Sequence, residues 1–280
     1  MKKFSVITIV LNDLAGIKRT AKSVQGQKYK NFEWIVIDGG STDGTREYVE
    51  ALPVQPDYWV SEPDGGVYCA INKGVRHASG EYVICMNAGD VFHSEKVLEK
   101  VANRKLAADV VYGDWIKSRS TGNEFCAAPV ILPKFYFFNN NICHQAMFVK
   151  TAILQESGYD ERYKIFADWA RWQCLSMGGG TFQHLPIVVC DFEAEKGLSS
   201  RGGVQRDREM EMMSVEFPKS VHEENECVRK SFSYRFLMME SLVYQWAGRL
   251  FWTIKGFVRQ RTQSGVSKMK ISRYRFFAFF

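Results

Sequence analysis

Apolar runs of strand length alternate with polar, helix-period segments through the first part of the chain. Phe4 to Val10 is near-continuously apolar and rich in β-branched residues, which predicts a strand buried on both faces. Residues 14–25 read as a helix with Asn12 or Asp13 as its cap. A second buried strand, Phe32 to Ile37, ends at Asp38 and the loop Gly39-Gly40-Ser41-Thr42-Asp43-Gly44-Thr45, in which Thr42 or Asp43 can cap a helix over 44–52. A short strand at 58–60, a turn at Glu62-Pro63-Asp64-Gly65-Gly66, and a helix over 67–78 follow. Then come a strand at 81–86, the polar cluster Asn87-Ala88-Gly89-Asp90, a helix over 94–103 and a strand at 109–112.

This alternation predicts an α/β fold with a Rossmann-like, mostly parallel sheet, right-handed crossovers and helices on both faces. Ligands bind such sheets beyond the carboxyl ends of the strands. The polar clusters at 38, 62–66, 87–90 and 114 all fall at those ends. After 115 the pattern changes. Residues 118–145 read as irregular, 151–157 as a helix, a further helix starts near Asp168, 181–192 is strand-like, and 203–216 is helical. A long helical stretch over 228–258 is broken at Gly248 and Gly256. The expected organisation is a domain over 1–225, in two halves (1–115 and 116–225), and a helical tail over 226–280.

Charge sharpens that boundary. Residues 231–280 hold nine Lys and Arg and one acid, Glu240, whereas the other 230 residues hold 28 basic and 30 acidic side chains. A near-neutral body therefore carries a basic tail, and the tail interleaves its cations with Phe251, Trp252, Phe257, Tyr274, Phe276, Phe277, Phe279 and Phe280. That mixture suits an anionic membrane surface; packing of the same helix on the body is the plainer reading. Nucleic acid is not an expected partner, because the body has no excess of cations. No apolar stretch reaches the roughly 18 residues of a membrane span. The short run after Met1-Lys2-Lys3 lacks the cleavage pattern of a signal peptide. Seven scattered cysteines, without a CxxC pair, read as reduced thiols of a cytoplasmic protein.

Neither a GxxxxGK[ST] loop nor a GxGxxG follows the first strand, so phosphates need another partner. A carboxylate repels phosphate directly but can hold Mg²⁺ or Mn²⁺, which bridges diphosphate oxygens. Asp90, at a strand end, suits that task. Asp38 and Asp64 suit hydrogen bonds from a base or from ribose hydroxyls. Lys73 is a candidate for a phosphate, and Asp114 for lining the site or closing a turn.

Four segments together resemble the family 2 glycosyltransferases: Ser5-Val-Ile-Thr-Ile-Val-Leu-Asn12, Asp38 to Thr45, Ser61-Glu-Pro-Asp-Gly-Gly-Val-Tyr68 with Asn72-Lys-Gly74, and Asn87-Ala-Gly-Asp90. The resemblance spans about residues 4–200 and is nearest to the WcaE-like bacterial polysaccharide subgroup. It implies a GT-A fold, a nucleotide-diphosphate sugar donor (a UDP-sugar favoured) and divalent Mn²⁺ or Mg²⁺. Residue by residue, it implies donor contacts from Asn12, Asp38, Asp64, Lys73 and Asn87, and a metal ligand in Asp90. It also implies a catalytic base in Asp168, within Tyr159 to Trp169. His144, Gln145, Ser199 and Asp114 fall on the acceptor side. A base of this kind implies inversion by one in-line displacement. The acceptor would be a lipid-linked saccharide, and the protein would be peripheral on the inner face of a bacterial cytoplasmic membrane.

Two departures stand out. Cys69 occupies a position where the family has Asp, and Glu195-Lys196-Gly197 precedes Leu198 where a second Gly is usual. Two rival readings follow: a sugar nucleotidyltransferase, which would normally show a basic Gly-rich loop after the first strand, and a non-catalytic family member acting as a scaffold. Plainer roles also stand beside the sharp ones: Asp43 or Asp168 as helix caps, and His144 as a satisfied buried histidine.

Overall fold

The computed structural model describes residues 2–195, 197 and 203–263. In chain order, the first half comprises β1 (Phe4–Val10), α1 (Leu14–Gln25), β2 (Phe32–Asp38), α2 (Thr45–Glu50), β3 (Tyr58–Ser61), α3 (Val67–His77), β4 (Tyr82–Cys85), β5 (Val91–Phe92) and α4 (Val97–Ala102). The second comprises β6 (Val110–Arg119), β7 (Gly122–Cys126), α5 (Tyr136–Asn139), a 3₁₀ turn (His144–Ala146), β8 (Met147–Lys150), α6 (Thr151–Ser157), α7 (Ala167–Met177), β9 (Phe182–Glu193), α8 (Val204–Val215), α9 (Lys219–Lys230) and α10 (Phe232–Gln263).

All the described strands join one sheet in the order β3-β2-β1-β4-β8-β6-β9-β5, with β7 as a hairpin on β6. The first four are parallel, as the alternation predicts. Beyond β4 the sheet is mixed. β8 enters antiparallel between β4 and β6, so the two halves of the chain share one sheet. Its four residues emerge from a region without periodicity, and nothing in their pattern distinguishes them from a loop. The stretch 118–145, expected to be irregular, begins instead with the end of β6 and the β7 hairpin, turned at Gly122 with φ +131°.

Two apolar layers cover the sheet. Ile7, Ile35, Ile71, Tyr112, Trp172 and their neighbours pack on one face. Phe4, Val6, Val36, Ile84, Val101 and Phe148 pack on the other. β1 feeds both layers, which is why its sequence shows no alternation. Between Tyr112 and Trp115 the β6–β9 register shifts, with Pro186 on the β9 side where a ladder donor is missing. Gly113 is required at this bulge: a Cβ there would lie 2.4 Å from the Ile187 carbonyl oxygen.

The expected breaks at Gly248 and Gly256 do not occur, and α10 runs through both. Gly248 instead permits close packing, since a Cβ there would lie 2.1 Å from the Phe125 ring. Tyr234 is buried, and Gln245 donates to the Ala127 carbonyl at 3.2 Å. One side of this helix therefore lies on the β7 hairpin.

Candidate active site

Register brings the polar clusters together. Asp38 pairs with Val10 on one side and Ser61 on the other, so β1, β2 and β3 end level. The buried Asp38 carboxylate accepts from the Ser61 hydroxyl, the Ser41 hydroxyl and the Ser41 amide. The Ser41 oxygen accepts the Asn12 amide at 2.7 Å, and Asn12 Oδ1 accepts the Thr42 amide at 2.8 Å. Asn12 has φ +49°, a conformation that asparagine tolerates well. Asp64 accepts from the Gly66 amide at 2.8 Å. Asp13, not Asn12, caps α1 through the Gly16 amide. Asp43 takes the amides of Leu14 and Thr45, tying the starts of α1 and α2 together. The Lys73 amine donates to Glu62 at 2.8 Å.

The Asn87–Asp90 turn follows β4. Gly89 has φ +100°, and the Thr20 hydroxyl of α1 bonds the Asp90 carbonyl at 2.7 Å and the Gly89 amide at 3.1 Å. Asp90 is buried. Its Oδ1 accepts the Glu193 amide at 2.9 Å and its Oδ2 accepts Gln145 Nε2 at 2.8 Å. Burial pushes this carboxyl up to about 7, against the pull of those two donors and of nearby His144. Among the described residues, Asn87 Oδ1 is buried without a hydrogen-bond partner.

No cluster of three or more His, Cys, Asp or Glu side chains suited to a metal is present among the described residues. Mg²⁺ and Mn²⁺ need fewer, because such ions take one or two carboxylates and complete their shell with substrate phosphates and water. Asp90 fits that role, since a nearby cation restores the charged form that burial opposes.

Asp168 lies in the first turn of α7, but its side chain does not cap the helix. Oδ1 accepts the Tyr68 hydroxyl of α3 at 2.8 Å, and Oδ2 lies 3.1 Å from His144 Nδ1. His144 Nε2 is 3.3 Å from the Asn87 amide nitrogen, which donates. Nε2 is then the acceptor, and Nδ1–H donates to Asp168. Burial raises the Asp168 carboxyl, but the hydrogen bonds from His144 and the Tyr68 hydroxyl outweigh it and hold the group below the usual carboxylate value. The 3₁₀ turn is thus a bridge, with His144 on Asp168 and Gln145 on Asp90.

A further anchor has no sequence signature. Glu209 of α8 is fully buried, and its carboxylate accepts the amides of Lys164, Ile165 and Phe166 at 2.7, 2.9 and 3.0 Å, fixing the entry to α7. Tyr68 closes the motif that begins at Ser61, but nothing in the motif assigns its hydroxyl to Asp168. Asp114 bonds Ala128 N at 3.0 Å, His184 Nε2 at 3.3 Å and the Tyr244 hydroxyl of α10 at 3.3 Å. These contacts link Asp114 to β9 and to α10. Cys69 donates to Glu161 Oε2 at 2.9 Å while Asn72 donates to Oε1, so a carboxylate stands beside the thiol at the departing position. Ser199 lies outside the described residues.

The family model for glycosyl transferase family 2 matches residues 5–153. The chain belongs to this family. An uncharacterised glycosyltransferase of Mycobacterium tuberculosis is 37% identical over 170 residues, covering 59% of this chain and 65% of the relative, so the chain spans about two thirds of that protein's length. A PGL/p-HBAD biosynthesis glycosyltransferase of Mycobacterium bovis is 32% identical over 210 residues, covering 70% and 79%. Among solved structures, S. aureus TarS 1-349 in complex with UDP-GlcNAc superposes with a TM-score of 0.60 at 19% identity, over 82% of this chain and 73% of that one. A Pyrobaculum calidifontis mannosyltransferase in complex with GDP-Man and Mn²⁺ gives 0.52 at 17% identity, over 89% and 87%. The fold of this family 2 member is of the same GT-A type, a mixed sheet flanked by helices.

Proposed function

We propose that this family 2 protein is an inverting, metal-dependent glycosyltransferase. It moves a sugar from a nucleotide-diphosphate sugar, a UDP-sugar favoured, to a lipid-linked saccharide of a bacterial surface polysaccharide or glycolipid. The observation that carries the reading is the bridge through His144 and Gln145, which holds a charged carboxylate and a metal-competent carboxyl in one site. The WcaE-like character rests on the four motifs.

Asp38, Asp64 and Asn12 would bind the nucleoside at the ends of β1 to β3, and Asn87 the diphosphate side. Lys73 would have to leave Glu62 to reach a phosphate. Asp168, ionised at neutral pH, accepts the proton of the acceptor hydroxyl as that oxygen attacks the anomeric carbon. The new glycosidic bond forms while the bond to the nucleotide diphosphate breaks on the opposite face, so configuration inverts. Asp90 would hold a divalent cation, which would supply positive charge for the leaving diphosphate. Gln145 fixes the Asp90 carboxyl, His144 fixes Asp168, and Ser199 and Asp114 remain acceptor-side candidates.

We assign residues 1–225 to the catalytic unit and 226–280 to a tail that brings it to the cytoplasmic face of the membrane. Among the described residues no helix is long and apolar enough to cross a bilayer. α10 supports surface docking instead. Phe232, Phe236, Met239, Val243, Trp246 and Leu250 recur at helical spacing and are 46–80% exposed, on the side away from Tyr234 and Gly248. The aromatic residues of 264–280 fall outside the described residues.

A screen of nucleotide-diphosphate sugars with Mn²⁺, read as nucleotide diphosphate release, tests the activity. Release with none of them refutes it. Phe236→Ser with Trp246→Ser should weaken binding to phosphatidylglycerol vesicles with the fold intact. Unchanged binding removes the docking role.

A further inference from the structure

The Tyr68 hydroxyl carries one proton and has two acceptors. Its oxygen is 2.8 Å from Asp168 Oδ1 and 2.7 Å from the Ile165 carbonyl oxygen. A single hydroxyl proton can serve only one of them at a time. Ile165 O is an obligate acceptor. The Asp168 carboxyl is an acceptor when ionised and a donor when protonated. The three groups therefore have two complete arrangements. With Asp168 charged, Tyr68 donates to Oδ1. With Asp168 protonated on Oδ1, Tyr68 turns its proton to Ile165 O and its oxygen accepts from the carboxylic acid.

We propose that Tyr68 is a positioning residue for Asp168 in both of its protonation states, donating to the carboxylate before transfer and accepting from the acid afterwards. This rests on the assignment of Asp168 as the base. The proton balance is closed. The acceptor hydroxyl gives its proton to Asp168, Tyr68 keeps its own and only reorients, and no further co-reactant is needed. His144 cannot play this part, since its Nδ1–H already points at Oδ2 and its other nitrogen is occupied by Asn87.

The surroundings suit a hydroxyl that turns without ionising. Tyr68 is buried, with its ring against Tyr159 at 5.6 Å between centroids. Burial and the neighbouring Asp168 charge push its phenol well above the ordinary value, so it retains its proton. Ile165 is held in place because its own amide donates to Glu209 at 2.9 Å. The titratable groups around Asp168 are His144 from the 3₁₀ turn, Tyr68 from α3, Tyr159 from the loop before α7 and Cys85 from β4. Only Tyr68 bonds both the carboxyl and a backbone acceptor.

The test is a carbon-13 titration of aspartate carboxyls in the full chain, with Asp168→Asn assigning the signal. In Tyr68→Phe the midpoint of Asp168 should rise by about one to two pH units, the loss expected for a hydrogen bond to a charged group. Incorporating 3-fluorotyrosine at 68, a stronger donor of almost the same size, should lower the midpoint and keeps the test alive if the phenylalanine variant does not fold. Hydrolysis of UDP-GlcNAc in Mn²⁺, where measurable, should fall about tenfold or more in kcat for Tyr68→Phe with KM unchanged. An Asp168 midpoint that moves with neither substitution overturns the proposal. Transfer that survives in Asp168→Asn overturns the base assignment itself, a separate failure.

Discussion

Asp90 makes the metal-free protein sensitive to pH in an unusual direction. Most carboxylates in folded proteins are stabilised as anions, whereas Asp90 is raised by burial to about 7 from an ordinary 3.8. Below about pH 4 the group is protonated in both folded and unfolded chains and contributes no difference. Between 3.8 and about 7 the unfolded chain releases this proton while the folded one keeps it, and the folded state loses stability. Each pH unit in that window is worth about 1.4 kcal/mol, so the interval amounts to about 4 kcal/mol at most, and roughly 2–4 after Gln145 and water relax around the charge. Asp90→Asn removes the titration. The stability of Asp90→Asn relative to the native chain should therefore increase steadily from pH 4 to pH 7 and level off above it. Urea unfolding with chelator present, at half-unit pH intervals, measures this. Parallel curves for the two proteins across the window would show that Asp90 is not held uncharged by burial. Mn²⁺ at pH 8 should stabilise the native chain and leave Asp90→Asn unmoved.

Asp168→Asn should lower transfer by about 10²–10⁴-fold, the range for loss of a general base, in protein that still unfolds cooperatively. Glu209→Ala leaves the amides of 164–166 without their acceptor; a loss of roughly 3 kcal/mol in urea stability is expected, and a fall in kcat out of proportion to it, because these amides fix the start of α7. Gly248→Ala gains helix propensity of up to about 1 kcal/mol but drives a methyl into Phe125; a net loss of roughly 1–2 kcal/mol should appear in thermal melts, and a gain would refute the close packing of α10.

The parallel half was legible because β1, β2 and β4 are buried almost along their whole length and α1 opens on a side-chain cap at Asp13. Asp38, Asp64 and Asp90 were conspicuous for the same reason: strand ends in a parallel sheet converge, so a list of strand-terminal acids is already a rough map of a site. What could not be read was partnership. His144 and Gln145 are adjacent in sequence yet serve different acids, 24 and 55 positions away. Tyr68 reaches Asp168 across 100 positions, and Glu209 reaches back to residues 164–166 from α8, where it is one of several acidic residues with nothing local to single it out. Local pattern reports burial and turn chemistry; it carries no information on which buried acceptor meets which donor. β8 and the β7 hairpin were missed for a related reason, since short strands outside the main alternation take their identity from neighbours supplied by the rest of the fold.

The two readings of the basic, aromatic tail are not alternatives for α10. Its inner side is packed, through Tyr234, Gly248 and the Tyr244 bond to the buried Asp114. Its outer side carries the exposed apolar stripe. Deleting residues 231–280 would therefore strip Phe125 and Asp114 of cover while also removing the stripe, and lost vesicle binding in that truncation would not separate misfolding from lost docking. Substitutions confined to Phe236 and Trp246 do separate them, because these side chains are 46% and 67% exposed and cost little to replace. If docking through this face is correct, the double substitution loses vesicle binding at native thermal stability. The Tyr244→Phe variant should do the reverse, keeping vesicle binding while weakening the hold of α10 on β6 by about 0.5–1.5 kcal/mol, the range for a typical hydrogen bond.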